Sequence, residues 1–431
     1  MSNVHGRGPW ARCAAWIGGC AWIGMTLGLS VEDAQAQAEA LTLEEVLAHA
    51  EQHAPSLVAA RARLGLGDAA MEGAKPVLRD NPEVELGVGP HTTTGYNPSL
   101  DLKLRVQQRI EISGQRSARI DAAHAVRALE DERLAAARFA VRINVRASFY
   151  EVLLAHERAE SARRIEAVQT RVVEIAAARL EAGDIGSLGV RLAEADLAQA
   201  LQARIEAEGV EQGAQLRLAA LAGLSVETPP TVVGPLPKPV TTLDATVLVE
   251  RARTAQPARR VALAELAERE KRMQVTSRES WIGPAVGFEL AHEDRNQNVA
   301  LATISVPLPL FARNQGPRAL ARAERDISHA ELDAIDQALP VRVRAWIVAV
   351  EASGKRIAVY QRDVLPRFQE NLALIGRAFE LGEIDALEVS TARARLVEAE
   401  RTALDSYDDY LAAITNLQLE TGTELPDEKV P

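Results

Sequence analysis

The chain has 431 residues, of which 47% are hydrophobic, 25% charged and only 4% aromatic, and its formal net charge is −11. The ordinary apolar fraction excludes a generally disordered chain, and the acidic balance argues against a nucleic-acid-binding protein, which carries a basic stripe. Scarce aromatic residues argue against an antibody-like sandwich and favour long helices packed through small side chains.

Residues 1–38 have the pattern of a secretory signal peptide. An apolar stretch from Ala14 to Leu29 follows basic residues, and small residues at cleavage spacing come after it, from Ala34 to Ala38. The residues before Cys20 faintly resemble a lipoprotein cleavage box. Both cysteines, Cys13 and Cys20, lie in this leader, so the exported mature chain is expected to hold neither a disulfide nor a thiolate metal site.

The rest of the chain repeats itself at a spacing near 200 residues. Leu180 to Val190 aligns with Phe379 to Val389 at an offset of 199, with Gly, an acidic residue, Ile, Leu and Val in register. Ala54-Pro55 corresponds to Gln256-Pro257 at an offset of 202. Each half has the same predicted order: a short helix, two strands, a very long helix, a glycine corner and a second helix. The unit is too long for a solenoid repeat and indicates a duplication.

The two repeats are joined by a proline-rich linker. Its five prolines exclude a helix and favour an extended connector. The predicted boundaries are a first repeat at 39–226 (β-hairpin about 83–112, long helices about 117–222), the linker at 227–240, a second repeat at 241–422 (β-hairpin about 285–310, long helices about 317–421) and a tail at 423–431.

The first long helix carries the pattern of a coiled-coil seam, because small and aliphatic residues recur at spacings of four and three. In the second repeat, Pro340 and Pro366 interrupt the corresponding helix, and a kink or break is expected near each. The seam positions are Val141, Val145, Ser148, Val152 and Ala155, followed by Ile165, Val168, Val172 and Ile175.

The predicted strands alternate with a period of two between an aliphatic face and a charged or amide face. In a membrane barrel, the first face would meet lipid and the second would meet a water-filled lumen. The residues predicted to face lipid are Leu100, Leu102, Leu104 and Val106. The residues predicted to face the lumen are Asp101, Lys103, Arg105, Gln107, Arg109 and Glu111.

Each repeat supplies one hairpin, so a chain supplies four strands. Membrane barrels have at least about eight strands. An open sheet in lipid would leave unpaired N–H and C=O groups along its edges, at several kcal/mol each. Several chains must therefore share one barrel if these strands lie in a membrane. The alternative is a soluble sheet with one face exposed to water. Export, the duplicated hairpin and the very long helices favour a location in the membrane.

The chain resembles the TolC-like outer-membrane efflux proteins and, within them, the CzcC-like branch that serves heavy-metal efflux. The resemblance rests on the order of four features: Leu41 to Leu47, the strand exit Glu111 to Arg116, the segment Val306 to Gly316, and the two Gly-acid-Ile corners. It implies a mainly α fold with a small β part, in which long antiparallel helical hairpins form an α-barrel. The four strands of each chain would join a trimeric 12-stranded transmembrane β-barrel.

The resemblance also implies a place and partners. The protein would be a homotrimer in the outer membrane of a Gram-negative bacterium, in contact with outer-membrane lipid and extending into the periplasm. It would be a passive, gated exit duct for heavy-metal cations such as cobalt, zinc, cadmium or copper, docked to a periplasmic adaptor (membrane fusion protein) and an inner-membrane RND pump. The adaptor-docking and gate residues would be Gly183, Asp184, Ile185, Gly382, Glu383 and Ile384.

The glycine corners and the histidines admit other interpretations. Glycine supplies the positive φ needed where a long helix ends, and Asp184 and Glu383 could cap the next helix instead of ringing a pore mouth. His49 and His53 are four residues apart on a predicted helix, which could place both on one metal ion. No carboxylate at a matching spacing completes a metal-binding pattern, so the simpler interpretation is that both are exposed histidines without a metal.

The sequence argues against some functions and is compatible with several others. The sequence has no phosphate-binding glycine loop, nucleophile elbow or zinc cluster, so we expect no enzyme, cofactor, resident metal or nucleic-acid partner. The alternatives to metal efflux are a channel for multidrug efflux or type I protein secretion, or an exported coiled-coil scaffold without a pore.

Overall fold

The computed structural model describes residues 40–425, apart from 93, 96, 97, 294–296, 309, 382 and 385. The predicted signal peptide, with both cysteines, lies outside the described residues, as does the chain beyond residue 425. Within the described part, the chain is mostly helical with one small antiparallel sheet. The predicted mainly α fold with a small β part is thus confirmed.

The element order repeats in the two halves of the chain, and a π-helical turn divides the long helix of the second half. In chain order the elements are α1 (Leu43–His53), α2 (Pro55–Ala74), β1 (Glu83–His91), β2 (Ser99–Arg109), α3 (Gln115–Glu181), α4 (Ser187–Ala222), α5 (Ala245–Ala255), α6 (Pro257–Arg278), β3 (Ala285–Glu293), β4 (Gln297–Ser305), α7 (Gln315–Val359), the π-helical turn (Tyr360–Val364), α8 (Leu365–Glu380) and α9 (Ala386–Thr421).

Each repeat begins with two helices instead of the single short helix expected. Ala54 separates α1 from α2 and has φ −55° and ψ 125°, and Gln256 separates α5 from α6 with φ −58° and ψ 123°. A proline follows each of these residues. Proline disfavours helical backbone at the preceding position and suits the first position of a new helix. The repeated Ala54-Pro55 and Gln256-Pro257 pairs therefore mark the same helix break twice.

The four strands form one antiparallel sheet in the order β1-β2-β3-β4. The central pairing of β2 with β3 joins the hairpins of the two repeats and places Leu104 opposite Leu290. The hairpins are shorter than predicted, since β2 ends at Arg109 and β4 ends at Ser305. Beyond Ser305, Pro307 has no N–H to continue a ladder.

The helix α3 is 67 residues long, which corresponds to about 100 Å. Its predicted seam is confirmed over Val145, Ser148, Val152 and Ala155, which are all buried. Farther along, Val168 is 43% exposed and Gln169 is buried instead. An α-helix drifts by about 20° per heptad relative to a strict 3.5-residue repeat, so the buried position moves from 168 to 169, whereas Val172 is buried as predicted.

The two prolines predicted to disturb the second long helix behave differently. Pro340 lies inside α7, which continues past it without interruption. The helix changes instead at the π-helical turn Tyr360–Val364, which ends two positions before Pro366. Pro366 removes a backbone N–H, and its ring crowds the carbonyl four residues earlier, which a local π turn relieves.

The main hydrophobic core lies where α1 and α5 pack beside the middle of α3, the second half of α7 and the ends of α4 and α9. Its largest fully buried side chains include Phe149 and Tyr410. The chain end belongs to this core as well. Leu425 is buried, and Glu424 pairs with Arg142 and Arg146, so the predicted tail boundary at 423 falls within packed structure.

The proline-rich linker is extended and lies against this core. Leu41 forms a parallel bridge with Val232, and the hydroxyl of Tyr410 accepts from the N–H of Val240 at 3.1 Å. A Cβ added to Gly354 of α7 would lie 2.3 Å from the Val240 carbonyl oxygen. The linker is therefore a strap fixed across the helices, and glycine at 354 leaves room for it.

Candidate functional site

The aliphatic face of the sheet is exposed. It carries the residues predicted to face lipid: Leu100 and Leu102 are exposed, and Leu104 and Val106 are half-buried. Exposed apolar side chains from all four strands share it. A contiguous apolar patch of this kind marks a surface that meets lipid or another protein. The other exposed members are Val84, Leu86, Val88, Val286, Phe288, Leu290 and Ile304.

The opposite face of the sheet is polar and holds an ion-pair cluster. Glu289 of β3 lies 2.7 Å from Lys103 and 2.6 Å from Arg105, both on β2. Arg105 also reaches Glu85 of β1 at 3.3 Å. The cluster links three strands and balances positive with negative charge. A lumen lined by this face would hold water and would select only weakly between cations and anions.

Sequence reasoning named only the β2 members of this polar face. Glu85 and Glu289 were missed because their role depends on which strands pair, which the alternation of one strand does not reveal. Gln107 donates to Glu83 at 2.6 Å and Arg109 pairs with Asp80 at 3.3 Å.

The predicted polar row also includes Asp101 and Glu111. Asp101 lies on β2 and is half-buried. Glu111, predicted to be part of the strand, lies two residues beyond the end of β2 and pairs with Arg119 of α3. The strand ends earlier because the chain turns into α3, so this carboxylate belongs to the junction between sheet and helix.

The exits from the two hairpins share one geometry. Gly114 (φ 73°) and Asn314 (φ 57°), both in the left-handed region, immediately precede α3 and α7. In each exit the next residue is a glutamine whose Oε1 accepts from the N–H two positions before it: Ser113 to Gln115 at 2.9 Å, and Arg313 to Gln315 at 2.7 Å. These glutamines fix the direction in which each long helix leaves the sheet.

The first glycine corner is a Schellman motif. Gly183 has φ 81°, its N–H donates to the Leu180 carbonyl at 3.0 Å, and the N–H of Asp184 donates to the Arg179 carbonyl at 2.9 Å. This pair of hydrogen bonds satisfies the last carbonyl groups of a helix. The N–H of Glu383 makes the same bond to Ala378 at 2.8 Å in the second repeat, although Gly382 itself lies outside the described residues.

The acidic corner residues do not act as helix caps in the first repeat. The N-cap of α4 is Gly186, without a side-chain cap, so the capping alternative for Asp184 is wrong. Both Asp184 and Glu383 are exposed. Ile185 is half-buried in a small cluster with Val172, Ala176 and Ala193, and Ile384 is also half-buried. Each corner therefore presents a carboxylate to water beside an isoleucine that is partly covered.

His49 and His53 are directed at main-chain oxygens. Their rings stack with centroids 4.3 Å apart, His49 Nε2 lies 3.2 Å from the Gly223 carbonyl, and His53 Nδ1 lies 3.2 Å from the His49 carbonyl. Across the residues described, no three His, Cys, Asp or Glu side chains are grouped so as to hold a metal ion. No helix in that same part is both long and apolar enough to cross a bilayer.

Comparison with known proteins covers most of the chain. A sequence profile of the family described as "Outer membrane efflux protein" matches residues 46–224 and 248–423. The chain is 29% identical over 295 residues to the cobalt-zinc-cadmium resistance protein CzcC of Cupriavidus metallidurans, a match that covers 67% of this chain and 69% of CzcC.

Solved structures show the same fold at low sequence identity. The CmeC outer membrane channel of Campylobacter jejuni has a TM-score of 0.72 at 14% identity, covering 88% of this chain and 85% of CmeC. CusC has a TM-score of 0.71 at 16% identity, covering 89% and 92%. The open-state MtrE outer membrane channel of Neisseria gonorrhoeae has a TM-score of 0.66 at 16% identity, covering 88% of each chain.

Proposed function

Because this chain belongs to the outer membrane efflux protein family, and is a passive conduit and not an enzyme, we propose that it is the outer-membrane exit duct of a tripartite RND-type efflux system. Three copies form the duct in the outer membrane of a Gram-negative bacterium. A periplasmic adaptor docks at its tip and connects it to an inner-membrane pump. The cargo is a heavy-metal cation, with cobalt, zinc and cadmium as the first candidates.

The observation that carries this proposal is the pair of open edges that one chain leaves. The sheet order β1-β2-β3-β4 leaves β1 and β4 with one unpaired side each. The helices attached to these strands follow the same order, since α2 contacts α3, α3 contacts α6, and α6 contacts α7. One edge of the chain is therefore built from β1 and α2, and the other from β4 and α7. A head-to-tail ring pairs these edges between copies.

The α7 edge has an apolar surface that suits such a ring. Leu320, Ile327, Val341 and Val348 are separated by multiples of seven residues and are between 58% and 67% exposed. Heptad spacing aligns side chains along one side of a helix. Three chains with four strands each supply twelve strands, which satisfies the minimum of about eight for a membrane barrel.

The likeness to CzcC supports the metal cargo, and the mixed charge of the polar face supports a passive path. Within the described part of the sheet, Glu289 and Glu85 are paired with Lys103 and Arg105, so a duct lined by this face would not hold a cation strongly at these two acids. Selection of the cargo then belongs to the pump. The exposed Asp184 and Glu383 are the docking residues we assign to the tip, with Ile185 and Ile384 beside them.

Membrane insertion tests the duct against a scaffold without a pore. Leu102→Asp places a charge on the aliphatic face, which costs about 1–3 kcal/mol in lipid, whereas Thr303→Asp on the polar face of β4, opposite Gly287, is the matched control. We expect the first variant to be lost from the outer-membrane trimer fraction and the second to be retained. Normal trimer yield of both variants would contradict the lipid contact.

Metal sensitivity tests the cargo. A strain lacking the protein should become sensitive to cobalt, zinc or cadmium and regain resistance with the wild-type chain. Sensitivity confined to organic drugs would identify the multidrug alternative, and loss of a secreted polypeptide would identify the secretion alternative.

A further inference from the structure

A cavity of about 680 Å³ lies at the junction between the sheet and the long helices. Its walls come from the exit of β2, the start of α3 and the end of α6. Apolar side chains form one part of the lining, with Ile112 68% exposed and Trp281 67% exposed. Arg278, Gln274 and Ser277 form another. The cavity is therefore amphipathic and open.

The cavity lies beside the sheet, at the exit of β2. Ile112 lies three residues beyond the end of β2, and Phe311 at the other hairpin exit is 90% exposed. Aromatic residues at the end of an apolar band are typical of the boundary between lipid tails and headgroups. On the proposed function, this boundary is the periplasmic side of the outer membrane.

Two arginines at the junction carry charge that no carboxylate balances among the residues the structure describes. Arg278 donates to the Ser113 carbonyl at 3.3 Å, and Arg116 donates to the Lys75 carbonyl at 3.1 Å. In contrast, the one carboxylate in the cavity lining, Asp121, is paired with Lys271 at 3.6 Å. The junction therefore carries positive charge, although the net charge of the chain is −11.

We propose that this cavity binds the headgroup phosphate of an anionic phospholipid, with the acyl chains lying over Ile112 and Trp281. The inference rests on the proposed outer-membrane location. Arg278 has further N–H groups available because the main-chain contact uses one of the five in a guanidinium. Gln274 adds an amide, and the uncapped start of α3 at Gly114 adds a favourable backbone dipole. A charged phosphate next to an apolar surface is the ligand that such a lining complements.

The test uses the purified, delipidated trimer of the full mature chain in detergent. Phosphatidylglycerol and phosphatidylcholine are titrated separately, and bound lipid is counted by native mass spectrometry. We expect phosphatidylglycerol to bind at least about fivefold more tightly than phosphatidylcholine, which is the difference in affinity that one arginine near the headgroup produces. Arg278→Gln should remove this preference without changing phosphatidylcholine binding, and Arg278→Lys, which keeps the charge, should retain it within about twofold.

Matched controls make the result decisive. Arg171→Gln removes an exposed charge near the other end of α3, where Arg171 pairs with Glu174 at 2.7 Å, and should leave the preference unchanged. An unaltered preference in Arg278→Gln, or an equal loss in Arg171→Gln, would overturn the proposed site. Displacement of phosphatidylglycerol by millimolar inorganic phosphate would overturn the lipid as its occupant.

Failure of this inference can be told apart from failure of the proposed function. A wild-type chain that forms no trimer in the outer-membrane fraction contradicts the duct and, with it, the lipid site. A normal trimer without a preference for phosphatidylglycerol contradicts the lipid site alone.

Discussion

The guanidinium of Arg105 lies 2.6 Å from the carboxylate of Glu289, and this ion pair crosses from the hairpin of the first repeat to the hairpin of the second. Glu289 is nearly buried and is also held by Lys103. The two repeats therefore share one sheet through backbone pairing and through a charge cluster on its polar face.

Replacing Arg105 and Glu289 by glutamine, singly and together, should show energetic coupling. Each single change lowers the midpoint of thermal unfolding, and the double change lowers it by less than the sum. The coupling should be about 1 kcal/mol, because residues in one ion-pair network interact. The exposed pair Arg171 and Glu174 serves as control and should couple by at most about 0.5 kcal/mol. Strict additivity for Arg105 and Glu289 would argue against the shared cluster.

Alanine at Gly183 should loosen the first glycine corner. A Cβ there meets no atom within 4 Å, so the cost comes only from the positive φ and amounts to about 1–2 kcal/mol. Gly186→Ala is the control, because Gly186 has φ −81°. Hydrogen exchange across residues 178–190 should speed up about tenfold in the first variant, a factor that corresponds to 1.4 kcal/mol. Equal exchange in both variants would contradict the left-handed corner.

Alanine at Gly354 should displace the linker strap. The added Cβ would overlap the Val240 carbonyl oxygen, and overpacking of this kind costs about 1–3 kcal/mol. Gly316→Ala, where the Cβ meets nothing within 4 Å, is the matched change in the same helix and should be neutral or slightly stabilising. The midpoint of thermal unfolding distinguishes them, and an unchanged midpoint in Gly354→Ala would mean that the strap is not fixed.

The contact between α2 and α3 should weaken in acid because of Glu130. Burial raises the pKa of this carboxyl, but Arg63 at 3.0 Å and Arg133 at 2.6 Å outweigh it, and the pKa lies below the ordinary 4.5. A lowered pKa stabilises the fold above the ordinary value, and this stabilisation is lost as the pH falls through the folded-state pKa. Glu130→Gln should cost about 2 kcal/mol at neutral pH.

The measurement for Glu130 is thermal stability against pH for the wild type and for Glu130→Gln. Their difference should be constant near neutrality and should close as the pH drops below about 4. Asp131→Asn, at a neighbouring side chain that is 55% exposed, should change stability by less than about 0.5 kcal/mol at neutral pH. A gap that persists in strong acid would show that the charge of Glu130 is not the cause.

Reversing both corner acids tests the proposed docking site. Asp184→Lys with Glu383→Lys should impair efflux while the trimer forms normally, because both carboxylates are exposed at the corners. The control reverses two exposed acids elsewhere, Glu44 of α1 and Glu250 of α5, and should leave efflux unchanged. Full efflux by the corner variant would remove these residues from the docking surface.

The sequence by itself determined the features that depend on neighbouring residues. Alternation of Leu102 with Lys103 defines two strand faces because successive side chains point to opposite sides. The glycine at 183 marks a helix end because few other residues accept a positive φ. The repeat is visible for the same reason, since such local signals recur in order at a fixed offset.

Only the tertiary structure decided what joins distant segments. The pairing of β2 with β3 brings Arg105 to Glu289, which lies 184 positions away. Packing also decided that Pro340 is tolerated inside α7 while the helix changes at Tyr360–Val364, and that the linker lies across Gly354. Strand register and helix packing depend on the complementary surfaces of both partners, so neither segment alone carries the information.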